Sequence, residues 1–350
     1  MSHDWNERSA GTQNCVRQKS ANWSSAHDGR RDTATWRSRI LRGVLAVLLL
    51  IPCLVAGQMD DGPSLAGVID LHAHVGPETT LFRYRRSLDA VEAAQIARIS
   101  GMRGMVFKEH HTETASWAYL VSQMVPGIEL FGGIVLNRAV GGINPVAVEA
   151  MALTREGRGR VVYMPTVDSQ YRNPGSPDAV PISRNGKLLP QVLDVLAIVA
   201  KHDLGLSTGH SSPEESLMLI RAARAAGVTK MYVQHPNHSG IVMSMAAMQE
   251  AVRLGALIEI VLSDEGLTGG GPATVDPVNP VQDFGPQKLA DIRALGPQNV
   301  VIGSDLGQPG RVTHAEAFRI ALRVLANAGF TQAEIDLMTR QNPARFLGLK

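Results

Sequence analysis

Two histidines one residue apart, His72 and His74 in Asp70-Leu71-His72-Ala73-His74, follow the apolar run Leu65-Ala66-Gly67-Val68-Ile69. Residues i and i+2 of a strand face the same side, and neutral imidazole is the commonest protein ligand for zinc and related cations. The end of one buried strand therefore offers two ligands to a single ion. Alone, a His-x-His pair is a weak signal, because such pairs also arise by chance. Its weight comes from similar groups elsewhere. Lys108-Glu109-His110-His111, Asn137, Thr166 with Asp168, Thr208-Gly209-His210, Gln234-His235-Pro236, Glu259 and Ser304-Asp305 each end or interrupt an apolar run.

Those runs define the elements that must position this chemistry. Strands are expected over 67–71, 104–108, 130–136, 160–164, 205–208, 230–234, 256–262 and 299–303. Between them lie helical patterns, among them 88–99, 145–154, 190–202, 213–226, 243–254 and 284–294, several opening at Pro or a Ser/Asn cap and closing at Gly. Eight βα units over about 290 residues predict an α/β fold, a closed (β/α)8 TIM barrel with its site at the C-terminal ends of the strands. An open doubly wound sheet is the alternative, but no Gly-x-Gly-x-x-Gly follows the first strand. Nine histidines follow residue 57, and only His202 and His314 fall within helical patterns. Those two are expected to be bystanders.

Composition narrows the class. A hydrophobic share of 44% suits an ordinary packed core. The net charge is only +2, and the segment up to Arg42 already carries eight Lys/Arg against four Asp/Glu, so the remainder is slightly acidic and has no basic patch for nucleic acid. Residues 1–36 are polar and without periodicity, as in disordered segments. Arg37, Arg39 and Arg42 then precede the uncharged stretch 43–57, short for a membrane span of ~20 residues but suited to the apolar centre of a secretory signal. The reading is a leader with signal peptide over 1–57 and a barrel over 58–350, exported to the periplasm or beyond, with the membrane involved only through the signal. A membrane anchor, or a downstream translation start that leaves the protein in the cytoplasm, are the alternatives. Cys15 and Cys53 both lie in the leader, so the mature chain has no disulfide, thiolate ligand or cysteine nucleophile.

The order His-x-His at strand one, single His at strands five and six and Asp at strand eight resembles the metal site of the amidohydrolase superfamily. The closing Asn342-Pro343-Ala344-Arg345-Phe346-Leu347-Gly348-Leu349 is similar to a chain ending common there. Phe107 to His111, Gly132 to Asn137, Gly141 to Pro145 and Gly303 to Gln308 resemble an uncharacterised amidohydrolase-like family within it, and the likeness spans about residues 65–350. It implies one divalent cation, Zn2+ first and Mn2+ or Fe2+ as alternatives, held by His72, His74, His210 and Asp305. Many members carry a bridging Lys or Glu at strand four, whereas this chain reads Val162-Tyr163-Met164-Pro165-Thr166. That favours one metal over two, unless Lys108 or Glu109 takes the bridging place.

On that reading Asp305 accepts the proton of an activated water, His235 polarises the substrate or stabilises an oxyanion, and Lys108 holds an anionic group. His110, His111, Asn137 and His238 are further candidates for substrate contact. Each has a plainer reading: a solvated lysine, loop-capping histidines, and Asn137 and Asn144 fixing the glycine-rich loop between them. Glu259, inside an apolar strand, is read as a buried structural partner before a support for a metal ligand. Insertions over 167–189, with a hairpin tip at Arg184-Asn185-Gly186-Lys187, and over 263–286 are expected to wall the site, with Tyr171, Arg172 and Arg184 as anion contacts. The function expected is metal-dependent hydrolysis of an amide, lactone, ester or phosphoester of a small molecule. A decarboxylase or other lyase, and a non-catalytic binding barrel, are the alternatives. Homo-oligomer formation is expected as for many barrels.

Overall fold

The computed structural model describes residues 62–77, 85–237, 241–263 and 285–350. The leader, His238 and most of the second insertion lie outside them. All eight expected strands form: β1 (Ile69–His74), β2 (Gly104–Lys108), β3 (Glu129–Val135), β4 (Gly159–Tyr163), β5 (Gly205–Ser207), β6 (Met231–Val233), β7 (Leu257–Val261) and β8 (Val300–Gly303). They pair in parallel in sequence order. The sheet returns on itself beyond β8, where Asp305 N–H donates to His72 O at 2.8 Å and His74 N–H donates to Leu306 O at 2.9 Å. The TIM barrel read from the sequence is the observed fold.

Helices α1 (Ala90–Ile99), α2 (Ala115–Met124), α3 (Pro145–Ala152), α4 (Pro190–Lys201), α5 (Pro213–Ala225), α6 (Met245–Arg253), α7 (Pro286–Leu295) and α8 (His314–Asn327) fill the connections. Their starts are chemically specified. Asp89 and Glu92 form a capping box on α1, as do Ser212 and Glu215 on α5, satisfying amide groups that the helix cannot pair internally. The first insertion holds the expected hairpin: Ser183–Arg184 pairs with Lys187–Leu188, and Asn185 and Gly186 have φ of 53° and 71°, the two positive angles of a tight primed turn. Among the described residues no helix is long and apolar enough to cross a membrane.

The strands separate two cores. Their outer faces, with Met105, Phe107, Ile134, Val162, Ile258 and Ile302, pack against the helices. Ile69, Leu71, Val106, Phe131, Val161, Tyr163, Tyr232 and Val301 form an inner cluster with Phe346 and Leu347 of the closing helix α10 (Asn342–Leu347), which follows α9 (Gln332–Asp336) and a π-helical turn. The chain ending Asn342 to Leu349 thus plugs the barrel. Asn342 Nδ2 donates to the carbonyls of Pro297 (3.1 Å) and Val300 (2.7 Å), and Phe346 meets Tyr232 edge-on at 5.1 Å. Phe346→Ala should lower stability by about 3–5 kcal/mol through lost burial and the cavity left behind. Urea unfolding of the variant against the parent checks this.

Candidate metal centre

Alternation along β1 changes phase. Ile69 and Leu71 belong to the inner cluster and Ala73 to the outer one, and the β1–β2 register shifts between Asp70 and Ala73. Past that irregularity His72 and His74 both turn toward Asp305 Oδ1, their Nε2 atoms lying 3.0 and 3.2 Å from it. These three residues are all buried, and their donor atoms lie close enough together to surround one cation. Asp305 has φ of 52° and His235 of 22°, a left-handed backbone that non-glycine residues adopt at a cost and that recurs at functional sites.

Other strand ends supply the supports. Glu259, in mid-β7, faces inward and takes His72 Nδ1 at 3.0 Å through Oε1, while its Oε2 accepts His235 N–H at 3.3 Å. Its role is therefore to orient a candidate ligand, where the sequence favoured a structural partner. Gly303 makes this approach possible, since a Cβ there would lie 2.8 Å from Glu259 Oε1 and 3.0 Å from His72 Cβ. Ser263 Oγ donates to Asp305 Oδ2 at 2.9 Å. Asp70 Oδ1 accepts the N–H groups of His72 (3.0 Å) and Ser304 (2.9 Å), joining the two strands that carry the cluster.

Lys108, buried at the end of β2, places Nζ 2.7 Å from His72 Nε2 and 5.1 Å from the centre of the Tyr163 ring. Such a contact has room for one proton between the two nitrogens. Burial and Lys108 both pull the His72 pKa down, but Asp305 and Glu259 outweigh them and raise it to about 9. Burial and Arg86 instead hold His74 well below its ordinary value. Burial opposes the charge of Asp305, yet the two imidazoles keep its carboxyl well below the usual carboxylate range.

Arg86 went unnoticed in the sequence. It forms a two-pronged pair with Glu109 (Nε to Oε2 2.8 Å, Nη2 to Oε1 2.7 Å) and its Nη2 lies 3.0 Å from His74 Nδ1. Its place in a loop between β1 and α1, without apolar periodicity around it, left no signal. His74, Glu109 and His110 form a second group whose donor atoms are close together, but Glu109 is already engaged by Arg86.

The remaining candidates surround this centre. His235 stacks on His72 at 5.8 Å and tilts against His210 at 5.0 Å, and Gln234 Nε2 lies 3.0 Å from His235 Nε2. His210 thus adjoins the cluster by way of His235. His110 packs on His74 at 4.8 Å. His111 Nδ1 lies 3.8 Å from Glu109. Asn137 binds Thr166 and the His110 backbone, and Asn144 caps α3 through the Ala147 N–H. Of the proposed anion contacts, Tyr171 and Arg184 are exposed in the first insertion and Arg172 is partly buried there. His202 pairs with Glu149 at 2.9 Å on the helical layer, away from the strand ends.

His314 differs from expectation. It opens α8, is buried, and directs Nε2 to His74 O at 3.2 Å and Leu306 O at 3.1 Å. A carbonyl only accepts, so Nε2 carries the proton and bridges the seam between β1 and the segment after β8. His314→Ala leaves two buried carbonyls without this donor and should cost about 1–3 kcal/mol, whereas His202→Ala, which loses only a partly exposed pair with Glu149, should cost less, about 0.5–1 kcal/mol. Denaturant melts of the two variants compare them directly.

The fold is a (β/α)8 barrel in which His72, His74 and Asp305 come together at the C-terminal ends of the strands. The chain itself belongs to a family of unknown function (DUF6282), which matches residues 67–259. No curated protein matches it. Among solved structures it is similar to a phosphotriesterase homology protein from Escherichia coli complexed with phosphate in its active site, at 16% identity and a TM-score of 0.52, covering 81% of this chain and 99% of that one. It is also similar to an organophosphorus hydrolase from Deinococcus radiodurans, at 15% identity and a TM-score of 0.50, covering 82% and 94%. A mutant PTE-like lactonase from the same organism gives 16%, 0.52, 82% and 97%.

Proposed function

We propose that this protein is a metal-dependent hydrolase that uses one divalent cation, Zn2+ first among the candidates, to cleave a small-molecule ester, lactone, amide or phosphoester. The observation that carries the reading is the convergence of His72 Nε2 and His74 Nε2 on Asp305 Oδ1, with Glu259 holding His72 by its other ring nitrogen. A carboxylate on Nδ1 fixes the tautomer that leaves Nε2 to a metal, the usual support for a ligating histidine. The donor set of two imidazoles and a carboxylate fits zinc, manganese and iron alike. His210 is the fourth ligand in this proposal, adjoining the cluster through His235.

A bound cation supplies water of lowered pKa and polarises an acyl or phosphoryl oxygen. The residues do the rest. Asp305, held by Ser263 and kept anionic by its imidazole neighbours, takes the proton of the attacking water and returns it to the leaving oxygen or nitrogen as the scissile bond breaks. His235 contacts the developing oxyanion, and Lys108, on a flexible stem, moves from His72 to an anionic group of the substrate. His111 also borders a cavity of about 400 Å³ on the helix side of β3, with Ile134, Val140 and Met151. Lactones and phosphotriesters are the first substrates to screen, since the structural neighbours are named as a PTE-like lactonase and an organophosphorus hydrolase. The basic and apolar leader supports a site of action outside the cytoplasm.

Alanine at His72, His74 or Asp305 should abolish turnover of such substrates and lower metal content below one per chain, while Lys108→Met should raise KM or lower kcat with metal content undiminished. Metal analysis beside steady-state kinetics separates the two outcomes. Two metals per parent chain falling to one in Lys108→Met would overturn the one-cation reading. Binding must also expel a proton. With the His72 pKa raised to about 9, the ring is protonated below that pH, so cation affinity should rise about tenfold per pH unit up to ~9 and then level off. Zn2+ titrations of metal-free protein in a pH series, with proton release followed by an indicator, measure this slope.

A further inference from the structure

Beside the cluster, the ends of β3 and β4 build a hydrogen-bond chain that leads to His110. Its first member is fixed by direction. Asn137 Oδ1 accepts the backbone N–H of Thr166 at 2.8 Å and of Asp168 at 3.4 Å, and Nδ2 donates to the carbonyl of His110 at 3.0 Å. Reversing the amide would set oxygen against a carbonyl and nitrogen against two N–H groups, so the orientation follows from the partners. The same Nδ2 donates to Thr166 Oγ1 at 2.9 Å.

Thr166 Oγ1 lies 2.9 Å from His110 Nδ1, and among the described residues it has no acceptor other than that nitrogen. Asn137 Nδ2 cannot accept. The one hydroxyl proton of Thr166 therefore goes to His110 Nδ1, which must be the unprotonated nitrogen of the ring. The remaining proton of a neutral imidazole then sits on Nε2. The ring packs on His74 at 4.8 Å, beside the candidate cation position. Burial and the charges of His74, Lys108 and Arg86 hold the pKa of His110 well below its ordinary value, in keeping with a neutral ring.

We infer that Asn137 and Thr166 lock His110 into its Nε2–H tautomer so that it serves as a neutral hydrogen-bond donor to an acyl or phosphoryl oxygen of the ligand, and not as a metal ligand through that nitrogen. The inference deepens the proposed hydrolase reading by assigning the oxygen-recognising group. A neutral donor suits this place because it stabilises developing negative charge without repelling a nearby cation. Asn137, a candidate for substrate contact in the sequence, becomes a positioning residue two hydrogen bonds away.

The tautomer is read by long-range 1H–15N correlation spectra of metal-free protein labelled at histidine, with His110 assigned by its absence in His110→Gln. The parent should show the Nε2–H form, Thr166→Val should lose it for a mixture or the Nδ1–H form, and Thr166→Ser should retain it. Inorganic phosphate, titrated calorimetrically into Zn2+-loaded protein, reports the donor: affinity should fall about 5–10-fold in Thr166→Val and stay near the parent in Thr166→Ser, with zinc content equal in all three. An Nδ1–H ring in the parent, no tautomer change in Thr166→Val, or phosphate affinity that is absent or indifferent to the hydroxyl would overturn the inference. Circular dichroism melts establish that each variant is folded. A protein that binds phosphate in this way but hydrolyses no lactone or phosphotriester would fail the hydrolase reading alone.

Discussion

Ile69 and Leu71 point into the barrel, and so do His72 and His74, which a regular strand of period two cannot achieve. The register shift between Asp70 and Ala73 resolves the conflict, adding the half-step by which β1 first fills the apolar floor and then feeds two imidazoles to the mouth. The irregularity sits where the barrel closes. Asp70 Oδ1 accepts N–H groups from both His72 and Ser304, and Ser304 Oγ donates to His72 O at 3.0 Å. Closure of the sheet and assembly of the cluster are therefore one event, because the segment after β8 that completes the sheet also delivers Asp305.

This coupling explains the density of buried polar groups around the seam. Glu259, Asp305, Glu109, Lys108 and Arg86 all lie almost wholly out of water, where an ionised group without partners is expensive. Arg86 and Glu109 largely satisfy each other. Glu259 and Asp305 bracket His72 instead, and Lys108 Nζ approaches the same Nε2 that faces Asp305. An apolar core of the same size would be the more stable solution, which is why such a constellation points to function over structure.

Most of this architecture was legible in the sequence because the barrel repeats one simple pattern. Each apolar run ended in a polar residue, and each of those ends proved to be the mouth of the barrel, from Lys108 to Asp305. Element boundaries moved by a residue or two, and the first strand extended through His74 because pairing with Leu306 holds it in the sheet. Helix α2 announced itself poorly: the hydroxyl of Thr114 turns to the carbonyls of Phe107 (2.6 Å) and Gly133 (3.2 Å), leaving Glu113 to hold the first helical amides. The partners of the candidate ligands were the least legible part. Glu259, Arg86 and His314 act across sequence separations of 187, 12 and 240 residues from the histidines they touch, and nothing in local periodicity encodes such distances.

Strand four shows how one substitution of role reshapes the centre. Tyr163 ends β4 with its hydroxyl donating to Leu71 O at 3.2 Å, a strut across the barrel immediately below His72. Burial pushes its pKa well above the ordinary value, so the phenol stays protonated and cannot serve as an anionic bridge. The ring instead presents its face to the Lys108 amine, an arrangement that favours a cationic head over an aromatic surface. With an aromatic floor where a ligand could have stood, β4 supports the proposed site in two indirect ways: Tyr163 steadies the carbonyl before His72, and Thr166 orients His110. A second cation beside the first would have to draw on carboxylates already engaged, Glu109 by Arg86 and Glu259 by His72, with none supplied from β4 to offset its charge. That shortage of anionic ligands on the far wall, more than any shortage of histidine, is the physical argument for a single cation.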